Sequence, residues 1–279
     1  MIKLAMEAPT VLLGDLPHIT EFDWVLTHMC EESEEYFQHY KDMSLVPNRE
    51  VVLDNSVNEL GEPLSLERMD LVAKELCPTY IVPPDYLNDL SKTLSILDDA
   101  ISLWGQTKIM PVIQGESIEE VVECGQILRN KYGFSTVAIP YDVMLAHRSK
   151  LPSSDPDRAS LSELADTRVK AVTSLTEAEV KFRRYHLLGM NTLEEFPRYR
   201  NPEVWTGGGA WGGVRPIVTV DTGAPFTNAV YSRRFKKEAL VPKGIYFDYN
   251  IDPNQEERTE LQKLWYWNIL ILRGILHGV

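Results

Sequence analysis

Four aspartates close short hydrophobic runs in this chain: Asp54 after VVL, Asp85 after IVPP, Asp142 after VAIPY and Asp221 after IVTV. A lone Asp behind a strand is usually a turn former or a helix cap. Four in the same setting point to a shared site. Paired carboxylates suit chemistry at an acetal-like carbon, where one attacks the anomeric carbon and the other handles the leaving-group proton. Hydrolysis of a glycoside and exchange of a nucleobase share that logic. Gln114 and Gly115, in VIQG, add an amide and a tight turn suited to the edge of a heterocycle. His147, His186 and the cysteines Cys30, Cys77 and Cys124 show no metal-ligand spacing, so no metal is expected. Neither GxGxxG nor GK[ST] occurs, and no cofactor is expected.

Positioning these groups requires strands that end at a common rim. Eight β-rich runs recur: FDWVLTHM (22–29), EVVLDNS (50–56), TYIVPPDY (79–86), KIMPVIQG (108–115), STVAIPYD (135–142), RYHLLGM (184–190), PIVTVDTG (216–223) and GIYFDYN (244–250). Helical patterns separate most of them. Ser117 and Glu120 form a capping-box pattern opening SIEEVVECGQILRNKY, SKTLSILDDAISLWG stops at Gly105, and LERMDLVAKEL stops before Pro78. This rhythm predicts an α/β fold, a (β/α)₈ barrel forming a single domain over 1–279, with a doubly wound open sheet as the alternative. In such a barrel the active groups project from the C-terminal strand ends. LPSSDPDRAS (151–160) and TGGGAWGGV (206–214) read as surface loops, the second either a flap or a plain turn.

The composition is that of an ordinary globular chain: 279 residues, 44% hydrophobic and 25% charged. No secretory signal opens it, and LWYWNILILRGILHGV, interrupted by Asn268 and Arg273, falls short of the ~20 residues that span a bilayer. A last helix buried on the body, a cytoplasmic location and reduced core cysteines are expected. The net charge of −13 is uneven. Between Lys181 and Lys243, eleven basic residues stand against five acids. Such a segment is either a solvated face or a surface for a polyanion.

The order LDNS (53–56), PPDY (83–86), VIQGES (112–117), VAIPYD (137–142), RYHLLGM (184–190) and VTVDTGAPF (218–226) resembles the queuine/archaeosine tRNA-guanine transglycosylase superfamily. The chain lacks that superfamily's cysteine-rich zinc subdomain and carries LDNS where DSGG is usual. In its compact form it is most similar to the phage and bacterial DNA 7-deazaguanine transglycosylases. The resemblance implies exchange of guanine in DNA for a base such as 7-cyano-7-deazaguanine, in the host cytoplasm if phage-encoded. Asp221 would be the nucleophile forming a glycosyl-aspartate and Asp54 the acid/base. Asp85, Gln114, Gly115, Ile139 and Pro140 would hold the base. Arg183, Arg198, Arg200, Arg215, Arg233, Arg234, Lys236 and Lys237 would grip phosphates, with Trp205, Trp211 or Tyr231 stacking on bases. DNA, single-stranded or with a flipped base, and the deazaguanine are the implied partners. A reduced tRNA enzyme, a glycoside hydrolase and a non-catalytic nucleic-acid-binding subunit are the competing readings.

Overall fold

The computed structural model describes residues 2–144, 161–190, 195–200, 204–205, 216–222 and 255–277. They form a mixed α/β fold around two parallel sheets. One has the order β1 (Ile2–Leu4), β7 (Ile217–Val220), β6 (Arg184–Leu188), β5 (Thr136–Pro140). The other has the order β2 (Asp23–Leu26), β3 (Val51–Asp54), β4 (Tyr80–Ile81). Parallel strands covered on both faces read as unbroken apolar runs. Accordingly β2, β3 and β5 are buried at every position.

Segment 109–113 joins the sheets through single bridges, Ile81 to Ile109 and Val112 to Ala138. Pro111 between them has no N–H to extend a ladder. Its carbonyl still accepts from Ala138 N at 2.9 Å. At the other edges, Glu21 N donates to Leu4 O at 3.0 Å. Arg184, opening β6, makes a two-pronged ion pair with Glu50, just before β3, at 2.9 and 2.8 Å.

The helices follow their signals. Helix α4 (Leu66–Leu76) is capped by Ser65 and ends at Cys77, which holds φ 53° ahead of Pro78. The expected SKTLSILDDAISLWG helix is two, α5 (Leu90–Ser95) and α6 (Leu97–Trp104), closed by Gly105 at φ 81°. Helix α7 (Ile118–Gln126) takes its cap from Ser117, but the Glu120 carboxylate reaches one residue further back than a capping box requires, to Glu116 N at 2.8 Å. A π-helical turn, Ile127–Lys131, continues it. Helix α8 (Leu161–Glu177) packs on α7, where Gly125 leaves room for Leu175: a Cβ there would lie 2.4 Å from Leu175 Cδ2. Helix α9 (Gln255–His277) buries Trp265, Asn268, Ile269 and Leu272 and exposes Trp267 and Leu270. Among the described residues no helix is long and apolar enough to cross a membrane.

Three expectations need correcting. The first strand is Ile2–Leu4, which the sequence reading passed over. The THM of FDWVLTHM belongs to helix α1 (Thr27–Glu32), so the strand of that run ends at Leu26. Of the cysteines, Cys124 is buried and Cys30 half-buried, each thiol pushed up to about 12 chiefly by burial, while Cys77 is exposed. The runs 151–160, 206–214 and 244–250 lie outside the described residues.

Candidate active site

At the C-terminal ends of the strands lies a cleft of about 60 Å³. Glu7, Asp54, Glu59, Asp85, Asp142 and Asp221 line it together with Trp24, Leu26, Leu87, Pro140, Tyr141, Leu188 and Gly189. All four strand-end aspartates meet here. They arrive from β3, β4, β5 and β7, because parallel strands deliver their C-terminal residues to one rim.

Asp221 follows β7 and is 2% exposed. Its Oδ1 accepts from His186 Nε2 at 2.9 Å and from Gly189 N at 3.0 Å. The Glu7 carboxyl also bonds to it. Burial raises the group to about 6, opposed by the Gly189 N–H, the Glu7 hydrogen bond and the charge of Arg168. Gly189 is held at φ +61°, and a Cβ there would meet Tyr141 Cδ1 at 2.9 Å. Glycine is therefore required both for the backbone turn and for the approach of the tyrosine ring.

His186 is fully buried, stacked on Trp24 with ring centroids 4.3 Å apart and planes 7° apart. Burial, then the charges of Arg184 and Arg168, hold its basicity well below the usual imidazole range. The neutral ring donates from Nε2 to Asp221, which assigns Nδ1 as acceptor for the Thr219 hydroxyl at 2.9 Å. It orients the carboxylate without bringing a charge.

Asp54 is in the opposite condition. Burial first, then the Glu59 charge, raises its carboxyl well above the usual range, opposed by Ser56 N at 2.9 Å, with Asp221 and Asp85 adding to the rise. The turn behind it holds Ser56 at φ 61°. The Asp54 carbonyl accepts from Thr27 Oγ1. Glu59 sits on α3 (Val57–Leu60); burial and then Glu7 push it up to about 8. Burial likewise brings Asp142 to about 6.

Asp85 is clamped: Asn55 Nδ2 donates to Oδ1 at 2.7 Å and Gln114 Nε2 to Oδ2 at 2.6 Å. Gln114 Oε1 is taken by Asn88 N at 2.9 Å. Burial raises Asp85, opposed by the two amides. Of the five residues expected to hold a base, Asp85 and Pro140 line the cleft. Gln114, Gly115 and Ile139 stand behind it: Gly115 backs onto the start of α7, and Ile139 O accepts from Arg168 at 3.3 Å.

Arg168 on α8 is 0% exposed, its guanidinium paired to Glu195 at 2.6 and 2.7 Å. It also donates to Leu188 O. One buried cation thus fastens the ends of β5 and β6 beside the cleft. The sequence reading missed Glu7, Glu59 and Arg168. Glu7 had a signal, since it trails the apolar run of β1 much as Asp221 trails β7.

Of the eight residues expected to grip phosphates, the two whose side chains are described, Arg183 and Arg198, do not line the cleft. Arg183 precedes β6 and so lies at the N-terminal strand ends, the far side from the site. Arg198 pairs with Asp166. Trp205 is buried, its indole N–H donated to Tyr199 O at 2.7 Å, and offers no face to a base. Arg200 is described by its backbone alone, and Arg215, Arg233, Arg234, Lys236, Lys237, Trp211 and Tyr231 lie outside the described residues. Among the described residues no Lys, Arg or His lines the cleft.

No family model and no curated protein matches the chain. Among solved structures it is similar to the citrate lyase beta subunit of M. tuberculosis complexed with oxaloacetate and magnesium. There the TM-score is 0.43 and the identity 10%, over 79% of this chain and 91% of that one. It is also similar to protein CitE from Mycobacterium tuberculosis in complex with magnesium, acetoacetate and coenzyme A. That match has a TM-score of 0.42 and 10% identity over 95% of this chain and 98% of that one. These are not transglycosylases, and the resemblance to the tRNA-guanine transglycosylase superfamily is corrected accordingly. With it go base exchange in DNA or tRNA, the nucleic-acid-binding subunit, and DNA and deazaguanine as partners. At this fit the likeness transfers no activity or ligand to the present chain.

Proposed function

We propose that the chain is a single-domain (β/α)₈ barrel enzyme that hydrolyses an acetal-type bond, such as that of a small glycoside, by paired carboxyl groups. Two features support the barrel. Among the described residues, seven strands and segment 109–113 make eight parallel segments, and the Leu4–Glu21 hydrogen bond and the Arg184–Glu50 pair link the two sheets on the side away from segment 109–113.

The observation carrying the chemistry is that two carboxyls in one cleft have different surroundings, Asp221 meeting His186 Nε2 and Gly189 N while Asp54 meets Ser56 N and lies among other acids. Asp221 is kept ionised at neutral pH by His186 Nε2–H, Gly189 N–H and the Glu7 hydrogen bond. Burial, then the Glu59 charge, raises the Asp54 carboxyl well above the usual carboxylate range. Environments that push two such groups apart assign base and acid. Asp54 gives its proton to the departing oxygen while the Asp221 carboxylate takes one from the attacking water, and exchange with solvent restores both.

The test is release of nitrophenol from a panel of nitrophenyl glycosides. Asp221→Asn and Asp54→Asn should each slow release by about 10²- to 10⁴-fold. The rate should rise as pH passes about 6, where Asp221 ionises, and fall at higher pH as Asp54 loses its proton. Failure to cleave any glycoside, or undiminished cleavage by both variants, refutes the assignment.

A further inference from the structure

We infer that the cleft takes a substrate bearing a protonated amino group, seated against Glu59 and its neighbouring carboxyls. The inference deepens the reading of this cleft as the substrate site and rests on it.

The first observation is compositional. Six carboxyl groups line the cleft and, among the described residues, no Lys, Arg or His does. The second is a vacant acceptor. Three of the six cleft carboxyls are met by N–H donors of the protein: Asp221 by His186 and Gly189, Asp85 by Asn55 and Gln114, and Asp54 by Ser56 N. Glu59 Oε1 is met by Asn58 Nδ2 at 3.4 Å. Glu59 Oε2 is buried and has no hydrogen-bond partner, the only such side-chain oxygen among the described residues lining the cleft. Buried acceptors are nearly always paired, so an orphan in the wall of the cleft marks where a donor belongs.

Charge decides what kind of donor. A hydroxyl would fill the hydrogen bond and leave the mutual repulsion of the acids unrelieved. An ammonium group brings three N–H donors and a positive charge. The groups that act on Glu59 are Glu7 after β1 and Asp221 after β7, while Asp54 after β3 is in turn acted on by Glu59. Asp85 and Asp142 complete the acidic lining, and Arg168, fully buried and paired with Glu195, is the cation standing behind Asp221 and Asp142. A metal ion is the other cation to weigh. Among the described residues no group of three His, Cys, Asp or Glu side chains is arranged to hold one. An organic cation with donors spread around one nitrogen suits this lining better.

The geometry has a proton consequence. Glu59 titrates at about 8 because of burial and then Glu7, so it is protonated at neutral pH when the cleft is empty. An arriving ammonium stabilises the carboxylate, and the proton leaves to solvent as the complex forms.

The experiment is calorimetric titration of the intact chain at pH 7 in two buffers of different ionisation heat. The probes are D-glucosamine against D-glucose, cyclohexylamine against cyclohexanol, and magnesium chloride. The expected result is an amine preference of about tenfold or more over the hydroxyl partner, with a proton released on binding. Glu59→Gln, checked for wild-type thermal unfolding at pH 6, should lose both the preference and the proton release. Should Glu59→Gln not fold, Glu7→Gln must weaken the preference in its place. Equal binding of amine and hydroxyl, no binding by either amine, an unchanged preference in the variant, or displacement of the amine by magnesium would each overturn the inference. No turnover is involved: a chain that selects amines yet cleaves no glycoside sinks the hydrolase and leaves the amine site standing.

Discussion

Replacing Arg168 by Met removes a guanidinium that is 0% exposed and leaves Glu195, itself 2% exposed, with the Tyr199 hydroxyl at 2.6 Å as its remaining side-chain donor. Breaking a buried pair from one side strands a charge and typically costs about 3–5 kcal/mol. The lost bonds to Ile139 O, Leu188 O and Met190 Sδ place Arg168→Met toward the upper end. A chain of 279 residues unfolds with an entropy of roughly 0.6 kcal/mol per kelvin, so Tm should fall by about 5–9 °C. The double variant Arg168→Met with Glu195→Leu buries no uncompensated charge. It should be more stable than Arg168→Met alone by at least ~2 kcal/mol, because a buried pair replaced whole by apolar groups is close to neutral. Urea unfolding followed by tryptophan fluorescence measures both, with Trp205 bonded to Tyr199 O inside the same cluster. A double variant as unstable as the sum of the two single changes would refute the argument, since Arg168 would then stabilise by packing and not by compensating Glu195.

Three further outcomes are expected. His186→Phe removes the Nε2–H that stabilises the Asp221 carboxylate, so the acid limb of the pH–rate profile, set near 6 in the wild type, should move to higher pH; an unmoved limb would show that His186 only fills space. Gly189→Ala should cost roughly 1–2 kcal/mol from the φ +61° backbone alone, and should lower activity more than stability as Tyr141 is displaced; wild-type activity would contradict the tight fit. Asp142 and Asp221 at about 6 and Glu59 at about 8 are all raised above their unfolded values, so the folded chain binds the extra protons. Their stabilising contribution is complete below about pH 4 and is lost as pH rises through 6 and then 8. Glu59→Gln should accordingly be more stable than wild type at pH 9 and gain little at pH 4, and calorimetry at the two pH values checks it.

Strands β3, β5 and β7 were legible because each is a largely apolar run with an aspartate at or just beyond its end, and that same rule located Asp54, Asp142 and Asp221. Strand β1 was not, since three residues centred on Lys3 show no period. Prolines shorten the third and fourth runs: Pro83 and Pro84 follow a strand of two residues, and Pro111 reduces its neighbours to single bridges. Glu59 was invisible because its position depends on a four-residue helix entered through a left-handed serine, a geometry with no periodic trace. The motif order that resembled the transglycosylases has a general cause. Any parallel α/β fold must end its strands in polar residues and tight turns, so short strand-end motifs recur across unrelated chemistries. Arg183 illustrates the reverse error, for a residue preceding a parallel strand faces away from the rim where the strand's last residue sits.

The pairing of β1 with β7, Ile2 beside Val218, also sets a schedule for synthesis. At a ribosomal rate of about 5–20 residues per second, the first strand emerges roughly 10–40 s before its partner exists. During that interval its N–H and C=O groups form an unpaired edge of the kind that nascent chains must keep from other strands. Lys3 at the centre of the edge is a charge that discourages such pairing. A circular permutant opened within 45–49, between α2 (Glu34–Ser44) and β3, would join the present ends and bring β1 out after β7. It should refold with less aggregation than the natural order if the waiting edge is what limits the yield.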